Sequence, residues 1–351
     1  MPRAERGPAP TLVSIQALRG LAAVSVVVFH AFQWLGDPFW IGAAGVDVFF
    51  VISGYIIWTV GTGPEARPGV FFWRRLTRVA PAYWLVTGVV IAIAVVWPRL
   101  MPQVSLSARH IGLSFAFVQH HDPRGLPFPV LPPGWSLDFE AVFYTLFALV
   151  LFAPGHVRFR LIVGALVGVM LFGFIDPPAY ELGANPMMLQ FAAGAWLARR
   201  AQLGRRIRPW TGLALAAGGA ALLAAMWLAD FRSDLFRPLL WGAPAAMIVA
   251  AALALEPWIA AHASRALLSL GNASYAIYLC HFVTVDLTAR AIGVQRPWLF
   301  APLAVAVSVG AGLGFHRLVE RPLIAGARWL PGLFALAGSD TRGDASAQQA
   351  P

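Results

Sequence analysis

Apolar segments of about 20 residues recur along nearly the whole chain, and this recurrence limits the possible folds more than any other feature. A helix of that length is what a bilayer core about 30 Å thick requires for one crossing. Hydrophobic residues make up 59% of the 351 residues and charged residues only 12%, a balance that soluble domains do not show. The sequence therefore predicts an all-α, polytopic integral membrane protein.

At about 20 apolar residues per crossing, we expect about ten membrane-spanning helices. Their approximate limits are 13–35, 41–60, 80–98, 135–154, 160–176, 186–200, 210–229, 239–256, 267–292 and 298–320. These segments form one transmembrane domain over residues 13–330. It is preceded by a cytoplasmic tail of residues 1–12 and followed by a small, polar tail, residues 331–351, for which the composition predicts disorder.

The arginines lie mainly in short connections between the apolar segments, as at 74–78, 158–160 and 199–208. With the amino terminus in the cytoplasm, most of them lie on the inner side, in agreement with the positive-inside rule. We therefore expect both termini in the cytoplasm and the chain in the cytoplasmic (inner) membrane. The formal net charge of +10 does not indicate a nucleic-acid partner, because the arginines form no basic face.

The first apolar segment carries two ionisable residues, Arg19 and His30. Because they are eleven residues apart, at about 100° per residue, both side chains lie on one helical face, about 16 Å apart along the axis. A charge at the centre of a membrane helix costs about 2.5–3.5 kcal/mol, so such residues usually face a protein interior or a water-filled cavity. The alternative is that Arg19 is an interfacial anchor and His30 an ordinary core histidine.

The second segment, GAAGVDVFFVISGY, is interrupted by Asp47. A buried carboxylate needs a partner, which favours a functional role. Alternatively, Asp47 lies at the membrane boundary and caps a helix.

Arg74, Arg75 and Arg78 come just before Pro81 on the expected cytoplasmic side. Guanidinium groups three residues apart share a helix face and suit phosphate oxygens. A purely topological role explains the charges equally well, but not the aromatic residues crowded around them. These aromatic residues suit an adenine-bearing ligand and equally a membrane-interface belt.

In the fourth segment, PPGWSLDFEAVFYTLF, Ser136, Glu140 and Tyr144 recur every four residues on one helix face. An acid within a membrane span is a functional candidate by default. In the ninth segment, Ser274, Tyr278 and His281 fall within about 60° of each other. Such a polar stripe can also serve only to join helices by hydrogen bonds.

The connection 99–134 is the one long loop between the segments and carries His120, His121 and Asp122. Adjacent residues in a Pro-rich loop lack the spacing of a defined metal site, so we expect no metal there. A lid or an acceptor-contacting loop is the favoured interpretation. The single cysteine, Cys280, allows no intrachain disulfide.

Taken in order, these motifs resemble the membrane-bound acyltransferase 3 family. Its members transfer acetyl and other acyl groups onto surface polysaccharides, lipopolysaccharide, exopolysaccharide, Nod factors and macrolides. The resemblance runs from Leu18 to Pro322 and rests on LRGLAAVSVVVFH, GVDVFFVISGY, the arginine pair Arg75 and Arg78, WSLDFEAVFY, SYAIYLCH and the closing ERP.

The resemblance implies a role for several residues of this sequence. Arg19 and His30 match the essential arginine and histidine of the family's first helix. Arg75 and Arg78 match the pair associated with acyl-CoA, and Glu140 matches the acid of the Trp-Ser-Leu motif. The region 13–330 is then a transmembrane acyltransferase domain.

The expected reaction is the transfer of an acyl group, acetyl above all, from cytoplasmic acyl-CoA to a hydroxyl of a carbohydrate or glycolipid acceptor. We expect His30 as general base, with Asp47 or Glu140 fixing its tautomer from a similar depth in the outer part of the bilayer. Arg19 and the pair at 75 and 78 would hold the donor. The expected substrate-binding residues are Trp135, Ser136, Tyr275, Tyr278 and His281.

Two alternatives stay open. The histidine could carry the acyl group covalently instead of acting as a base. The chain could also be a transporter or flippase of a lipid-linked sugar, since transport pathways use intramembrane ionisable residues too. Transport would predict inverted repeats with interrupted helices in matching halves, and the sequence shows neither clearly. Oligomeric state is left undetermined.

Overall fold

The computed structural model describes residues 12–63, 66–181, 183–232 and 238–327. The two expected tails therefore lie outside the described residues, except for Leu12. Within the described ranges the regular secondary structure is helical. The α-helices are α1 (Val13–Gln33), α2 (Ala44–Gly61), α3 (Pro68–Val96), α4 (Ala108–Phe115), α5 (Trp135–Val150), α6 (Gly155–Ile175), α7 (Pro177–Glu181), α8 (Leu189–Gln202), α9 (Pro209–Leu228), α10 (Ala243–Ala254), α11 (Glu256–His262), α12 (Arg265–Asn272), α13 (Ser274–Ile292), α14 (Pro297–Phe315) and α15 (Arg321–Ala327).

Among the described residues, six helices are long and apolar enough to cross a membrane, or up to eight if each of two bent pairs is one span. This confirms a multi-pass helical membrane protein. Every one of the expected spans coincides with a helix, but α5 and α8 have only 16 and 14 residues. Helices this short fall below the usual length of about 20 residues for a crossing. The number of about ten, and the cytoplasmic termini, stay predictions.

Helix α3 begins twelve residues earlier than the expected limit of 80, at Pro68. Proline at the first helical position needs no hydrogen-bond partner for its nitrogen and presets the backbone angle, so it starts a helix well. Pro81 then lies inside the helix without ending it. As a result, Arg75 and Arg78 are fixed on a helix face and are not part of a connection.

The expected ninth span, 267–292, is broken. Helices α12 and α13 meet at Ala273 with a bend of 73°. Helix α12 packs against the first half of α1, and Gly271 makes this possible because a Cβ there would collide with the Gln16 carbonyl oxygen. Helices α10 and α11 bend by the same 73°.

The carboxylate of Glu256, at the start of α11, accepts hydrogen bonds from the backbone N–H groups of Val13 and Ser14 at 2.9 and 2.8 Å. These N–H groups have no partner within α1 itself, so an acid at this position stabilises the helix start. The bend between α10 and α11 thus fixes the end of α1 nearest Arg19.

Helix α2 lies in the middle of the bundle and packs most closely on α8. A Cβ on Gly54 would collide with the Phe191 carbonyl oxygen, and one on Gly194 with the Val51 carbonyl oxygen. Small residues let membrane helices approach to backbone contact. Next to this crossing, the rings of Phe50, Phe143 and Phe191 stack at centroid distances of 4.5–4.7 Å. The bundle is therefore firmly packed beside the cavity described below.

Candidate active site

A cavity of about 550 Å³ opens between α1, α2, α3, α5 and the junction of α12 with α13. Its volume lies in the range of about 300–1,000 Å³ that small-molecule sites occupy. Each of the five sequence motifs contributes at least one residue to its lining. Its polar lining includes Arg19, Ser53, Arg75, Arg78, Ser136, Glu140, Tyr144, Tyr275 and Tyr278.

One end of the cavity is basic. The single described hydrogen bond of the Arg19 side chain is a long one, 3.4 Å to the Gln16 amide oxygen. Arg75 has a buried Nε without a hydrogen-bond partner, and its guanidinium lies 5.9 Å from the Phe71 ring centroid. No described carboxylate lies within ion-pair distance, 4.0 Å, of Arg19, Arg75 or Arg78. Unpaired guanidinium groups in a recess attract an anion.

Glu140 lines the same cavity, which His30 does not. Its Oε2 accepts a hydrogen bond of 2.5 Å from the Tyr144 hydroxyl, one helical turn further along α5. Arg19 and Arg75 are close enough to act on its charge. The expected common depth of Glu140 and His30 in the bilayer stays a prediction.

The opposite end of the cavity carries hydroxyl groups. The Ser136 and Tyr278 hydroxyls are 2.9 Å apart, and both contact the Pro133 carbonyl oxygen, at 3.1 and 3.2 Å. Tyr275 also lines the cavity, while its hydroxyl donates to the Val79 carbonyl oxygen at 2.7 Å. The motif tryptophan, Trp135, does not line the cavity.

Trp135 packs instead on Phe50 and Phe139, with ring centroids 6.1 and 5.6 Å away. Its place at the first residue of α5 suits it to support the helix that carries Ser136 and Glu140. A substrate-binding role for Trp135 stays a prediction.

His30 and His281 lie behind the hydroxyl end, edge to face, with ring centroids 4.6 Å apart. Each Nδ1 bonds a backbone carbonyl of its own helix, His30 to Val26 at 2.9 Å and His281 to Tyr278 at 2.5 Å. A carbonyl only accepts, so each Nδ1 carries the proton, and in the neutral ring each Nε2 keeps its lone pair. The buried Nε2 of His281 has no hydrogen-bond partner.

Neither histidine lines the cavity itself. The link is Tyr278, whose ring centroid lies 5.5 Å from that of His281. Its hydroxyl reaches Ser136 at the cavity wall. The two basic rings are therefore connected to the cavity through one tyrosine side chain.

Asp47 is fully buried, and its Oδ1 accepts a hydrogen bond of 2.5 Å from the Gln190 amide on α8. The expectation was that Asp47 or Glu140 would fix the tautomer of His30. In the structure the Val26 carbonyl does so, because the carbonyl four residues back along a helix lies within reach of a histidine ring. Both carboxylates have the other partners described above.

Comparison with known proteins agrees with the motifs. A family model described as an acyltransferase domain, acyltransferase 3, matches residues 12–317. The chain belongs to the acyltransferase 3 family. It is an enzyme that transfers acyl groups, and the resemblance seen in the sequence is confirmed. No solved structure matches the chain significantly.

Three curated relatives illustrate the family. The exopolysaccharide production protein ExoZ of Rhizobium meliloti (strain 1021) is 36% identical over 310 residues, covering 85% of this chain and 94% of the relative. The putative membrane-bound transacylase BcsY of Komagataeibacter xylinus is 29% identical, covering 88% and 81%. The peptidoglycan O-acetyltransferase OatA of Listeria monocytogenes is 26% identical, covering 88% of this chain and 55% of the relative.

For an acyltransferase of this family, one buried group was missed by reasoning from the sequence. Asp138 is only 2% exposed, and its Oδ1 has no hydrogen-bond partner among the described residues. Asp138 is close enough to Tyr83 to act on it electrostatically. The signal was available, since Asp138 is an acid within an apolar span. The four-residue spacing of Ser136 and Glu140 does not include Asp138, which lies on another face of the same helix.

Another missed residue is Glu320, which is 2% exposed and accepts a hydrogen bond of 2.6 Å from His316 Nδ1. It also acts electrostatically on Arg19. Glu320 belongs to the ERP motif of the family resemblance, but the motif alone assigns it no role.

In the long loop, His110 Nδ1 and His120 Nε2 are 2.7 Å apart, and Asp122 pairs with Arg124 at 2.6 Å. Burial lowers the pKa of His110, and the neighbouring His120 lowers it further. Within the described residues no group of three or more His, Cys, Asp or Glu side chains is arranged to hold a metal ion. The role of the loop as a lid stays a prediction.

Proposed function

We propose that this acyltransferase moves an acyl group, acetyl above all, from cytoplasmic acyl-CoA to a hydroxyl of a carbohydrate or glycolipid. The observation that carries the proposal is one cavity with two unlike ends. Unpaired arginines line one end, and a serine–tyrosine pair connects the other to two histidines. A thioester donor that carries phosphate groups needs a basic surface to bind the phosphates and a polar surface beside a base where the acyl group reacts.

The donor phosphates are held by Arg19, Arg75 and Arg78. Acyl-CoA carries several phosphate groups, and charge-assisted bonds from guanidinium groups to phosphate are among the stronger ones in proteins. Arg19 and His30 are eleven residues apart on α1, so the rise of the helix separates them by about 16 Å. This is comparable to an extended pantetheine arm. A coenzyme bound at the arginines would therefore present its thioester near the hydroxyl end.

The reaction is acyl transfer by general-base catalysis. The acceptor oxygen attacks the thioester carbon while its proton passes to His30 Nε2. Since His30 does not line the cavity, this step requires the acceptor hydroxyl to come within hydrogen-bond reach of the histidine pair behind the cavity wall. The tetrahedral intermediate then breaks its carbon–sulfur bond, and the proton returns from the imidazolium to the leaving thiolate. The Ser136 and Tyr278 hydroxyls line the cavity, and in this proposal they donate to the developing oxyanion after turning away from the Pro133 carbonyl oxygen.

The other predicted residues support the arginines and His30. Glu140 balances the charge of the arginines and orients Tyr144, whereas Asp47 positions α8 through Gln190. His281 faces the ring of His30 and is the nearest group able to share its proton. A covalent acyl-histidine would use the same Nε2 and stays the mechanistic variant.

The acceptor class follows from the relatives, whose names refer to exopolysaccharide production and to peptidoglycan O-acetylation. Transport is less favoured. The two bent helix pairs follow one another, as α10–α11 and α12–α13, in the second half of the chain. Inverted repeats would place interrupted helices in matching halves.

Two experiments test the proposal. Mass spectrometry of surface glycans from cells with and without the gene should show an O-acyl group that depends on it. Restoration by the wild type but not by His30→Gln supports acyl transfer, and an unchanged acylation pattern contradicts it.

Orientation is tested separately by cysteine accessibility after replacement of Cys280. Gly63 and Gly204 should be labelled from the cytoplasm, and Gly125 from outside. External labelling at Gly204 would overturn the inward-facing donor site.

A further inference from the structure

A second cleft of about 560 Å³ lies between α8, α9 and α10, apart from the active-site cavity. Its floor is apolar and is built from residues such as Leu197 on α8 and Ala246 and Ala250 on α10. Its rim is basic and carries Arg200, Arg206 and Arg208. The cleft is therefore amphipathic. A water-soluble anion would need the basic rim but not the apolar floor.

Among the residues that the structure describes, the basic rim has no carboxylate counterion within 4.0 Å. The segment 199–208 contains five arginines and no acid. The Nε of Arg200 is buried without a hydrogen-bond partner among the described residues. A buried N–H of a cation is costly unless an acceptor reaches it, so the cleft is complete only with an anion.

Two tryptophans place the cleft at a membrane–water boundary. Trp196 and Trp210 both line it and are 49% and 64% exposed, and the Arg200 guanidinium lies 5.7 Å from the Trp196 ring centroid. Tryptophan is enriched at the level of lipid head groups. The apolar floor then faces the acyl-chain region, while the arginines face the head groups.

We infer that this cleft binds an anionic phospholipid, with its phosphate against Arg200, Arg206 and Arg208 and an acyl chain along the apolar floor. Basic pockets between membrane helices on the cytoplasmic side suit such lipids. The assignment to the inner leaflet depends on the proposed orientation, whereas the recognition of an anionic lipid does not. The site is independent of the acyl-transfer reaction.

The chain offers a matched control. Arg200→Gln/Arg206→Gln removes two charges from the cleft, and Arg199→Gln/Arg205→Gln removes two exposed charges of the same segment that do not line it. Each protein is purified in neutral detergent and titrated with phosphatidylglycerol, phosphatidylcholine or inorganic phosphate, with bound lipid counted by native mass spectrometry. An unchanged thermal unfolding midpoint checks that each variant is folded.

The wild type and the control should bind phosphatidylglycerol in preference to phosphatidylcholine. The cleft variant should lose that binding by about tenfold or more, since each basic residue near an anionic lipid contributes a factor of about five. Ala193→Leu keeps every charge but narrows the cleft. It should weaken lipid binding too, because the leucine side chain occupies space that the acyl chain needs.

Three results would overturn the inference. Equal losses of phosphatidylglycerol binding in the two double variants would mean that the arginines of segment 199–208 attract anionic lipid only through their total charge. Equal binding of phosphatidylcholine would mean no recognition of the anionic head group. Displacement of phosphatidylglycerol by inorganic phosphate, with Ala193→Leu unaffected, would mean a site for a free anion.

Discussion

The two ends of the active-site cavity differ in charge and in how their polar groups are satisfied. At the arginine end, Arg19, Arg75 and Arg78 line open space with no described carboxylate in ion-pair distance. At the histidine end, His30 and His281 are packed against each other, and each is bonded to a backbone carbonyl.

The difference follows from what each end has to do. A cation kept without a partner is costly, and that cost is recovered when an anionic ligand arrives. A neutral base needs no counterion, but it needs one nitrogen fixed so that the other keeps its lone pair. The carbonyl of Val26 supplies this fixation without adding charge. In the proposed mechanism, donor binding and proton transfer are thereby separated along one helix, α1.

The largest effect is expected at the histidine end. His30→Gln should lower kcat by about 10² to 10⁴, the usual contribution of a positioned general base. The Kd for acyl-CoA should stay close to that of the wild type, because the arginines are untouched. Steady-state kinetics in reconstituted vesicles and calorimetric titration with acetyl-CoA measure the two quantities. Wild-type turnover from His30→Gln would rule out general-base catalysis by this residue.

The arginine end should behave in the opposite way. Arg75→Gln should weaken acyl-CoA binding by about 10- to 100-fold, as expected when one charge-assisted contact is lost. Arg74→Gln is the matched control, since Arg74 is exposed on the same helix turn and does not line the cavity. Arg75→Lys keeps the charge but loses the planar fork and should be intermediate. Equal affinity in the Arg74 and Arg75 variants would leave only a topological role for Arg75.

Replacement of Glu140 tests whether the arginine end and the histidine end of the cavity depend on each other. Glu140→Gln keeps the shape and can still accept the Tyr144 hydrogen bond, but it removes the negative charge near Arg19 and Arg75. We expect a loss in kcat/KM of about tenfold, in line with the value of one hydrogen bond to a charged group. If Glu140 only joins helices, glutamine should support wild-type kcat/KM in the same vesicles.

The smallest effect is expected in the outer loop, and it separates the pH response of the loop from that of the histidine end. The pKa of His110 is lowered by burial and by His120, so the folded loop favours the neutral ring. The unfolded loop then binds more protons, and the stability of the loop falls as the pH drops below about 6.5, the ordinary histidine value.

The protection factors of amides in residues 99–134, corrected for the intrinsic pH dependence of exchange, should therefore fall a few-fold between pH 7.5 and pH 5.5. His110→Gln should show a smaller pH response, while its kcat at pH 7.5 stays at the wild-type value. Identical protection factors in the wild type at both pH values would contradict the role of the His110–His120 contact.

Much of the fold followed from local patterns. The apolar segments gave a multi-pass helical protein, and the spacing of Ser136, Glu140 and Tyr144 placed them on one helix face, as the Glu140–Tyr144 hydrogen bond confirms. Helix limits were less accurate where local signals conflicted. Arg75, Arg78 and Pro81 suggested that a span begins after them, but Pro68 starts the helix and packing carries it through Pro81.

What the sequence determined by itself is the set of polar side chains that an apolar chain retains, and the family to which their order belongs. Hydropathy and helical period are properties of neighbouring residues, so they can be read along the chain. Which groups meet depends on helices distant in sequence. The tertiary structure alone decided that Glu140 and Arg19 line one cavity that His30 does not line, that His281 is the neighbour of His30, and that Asp47 bonds Gln190. Helix crossings and the bend at Ala273 set these contacts, because they depend on close backbone approach at residues such as Gly271 and Gly54.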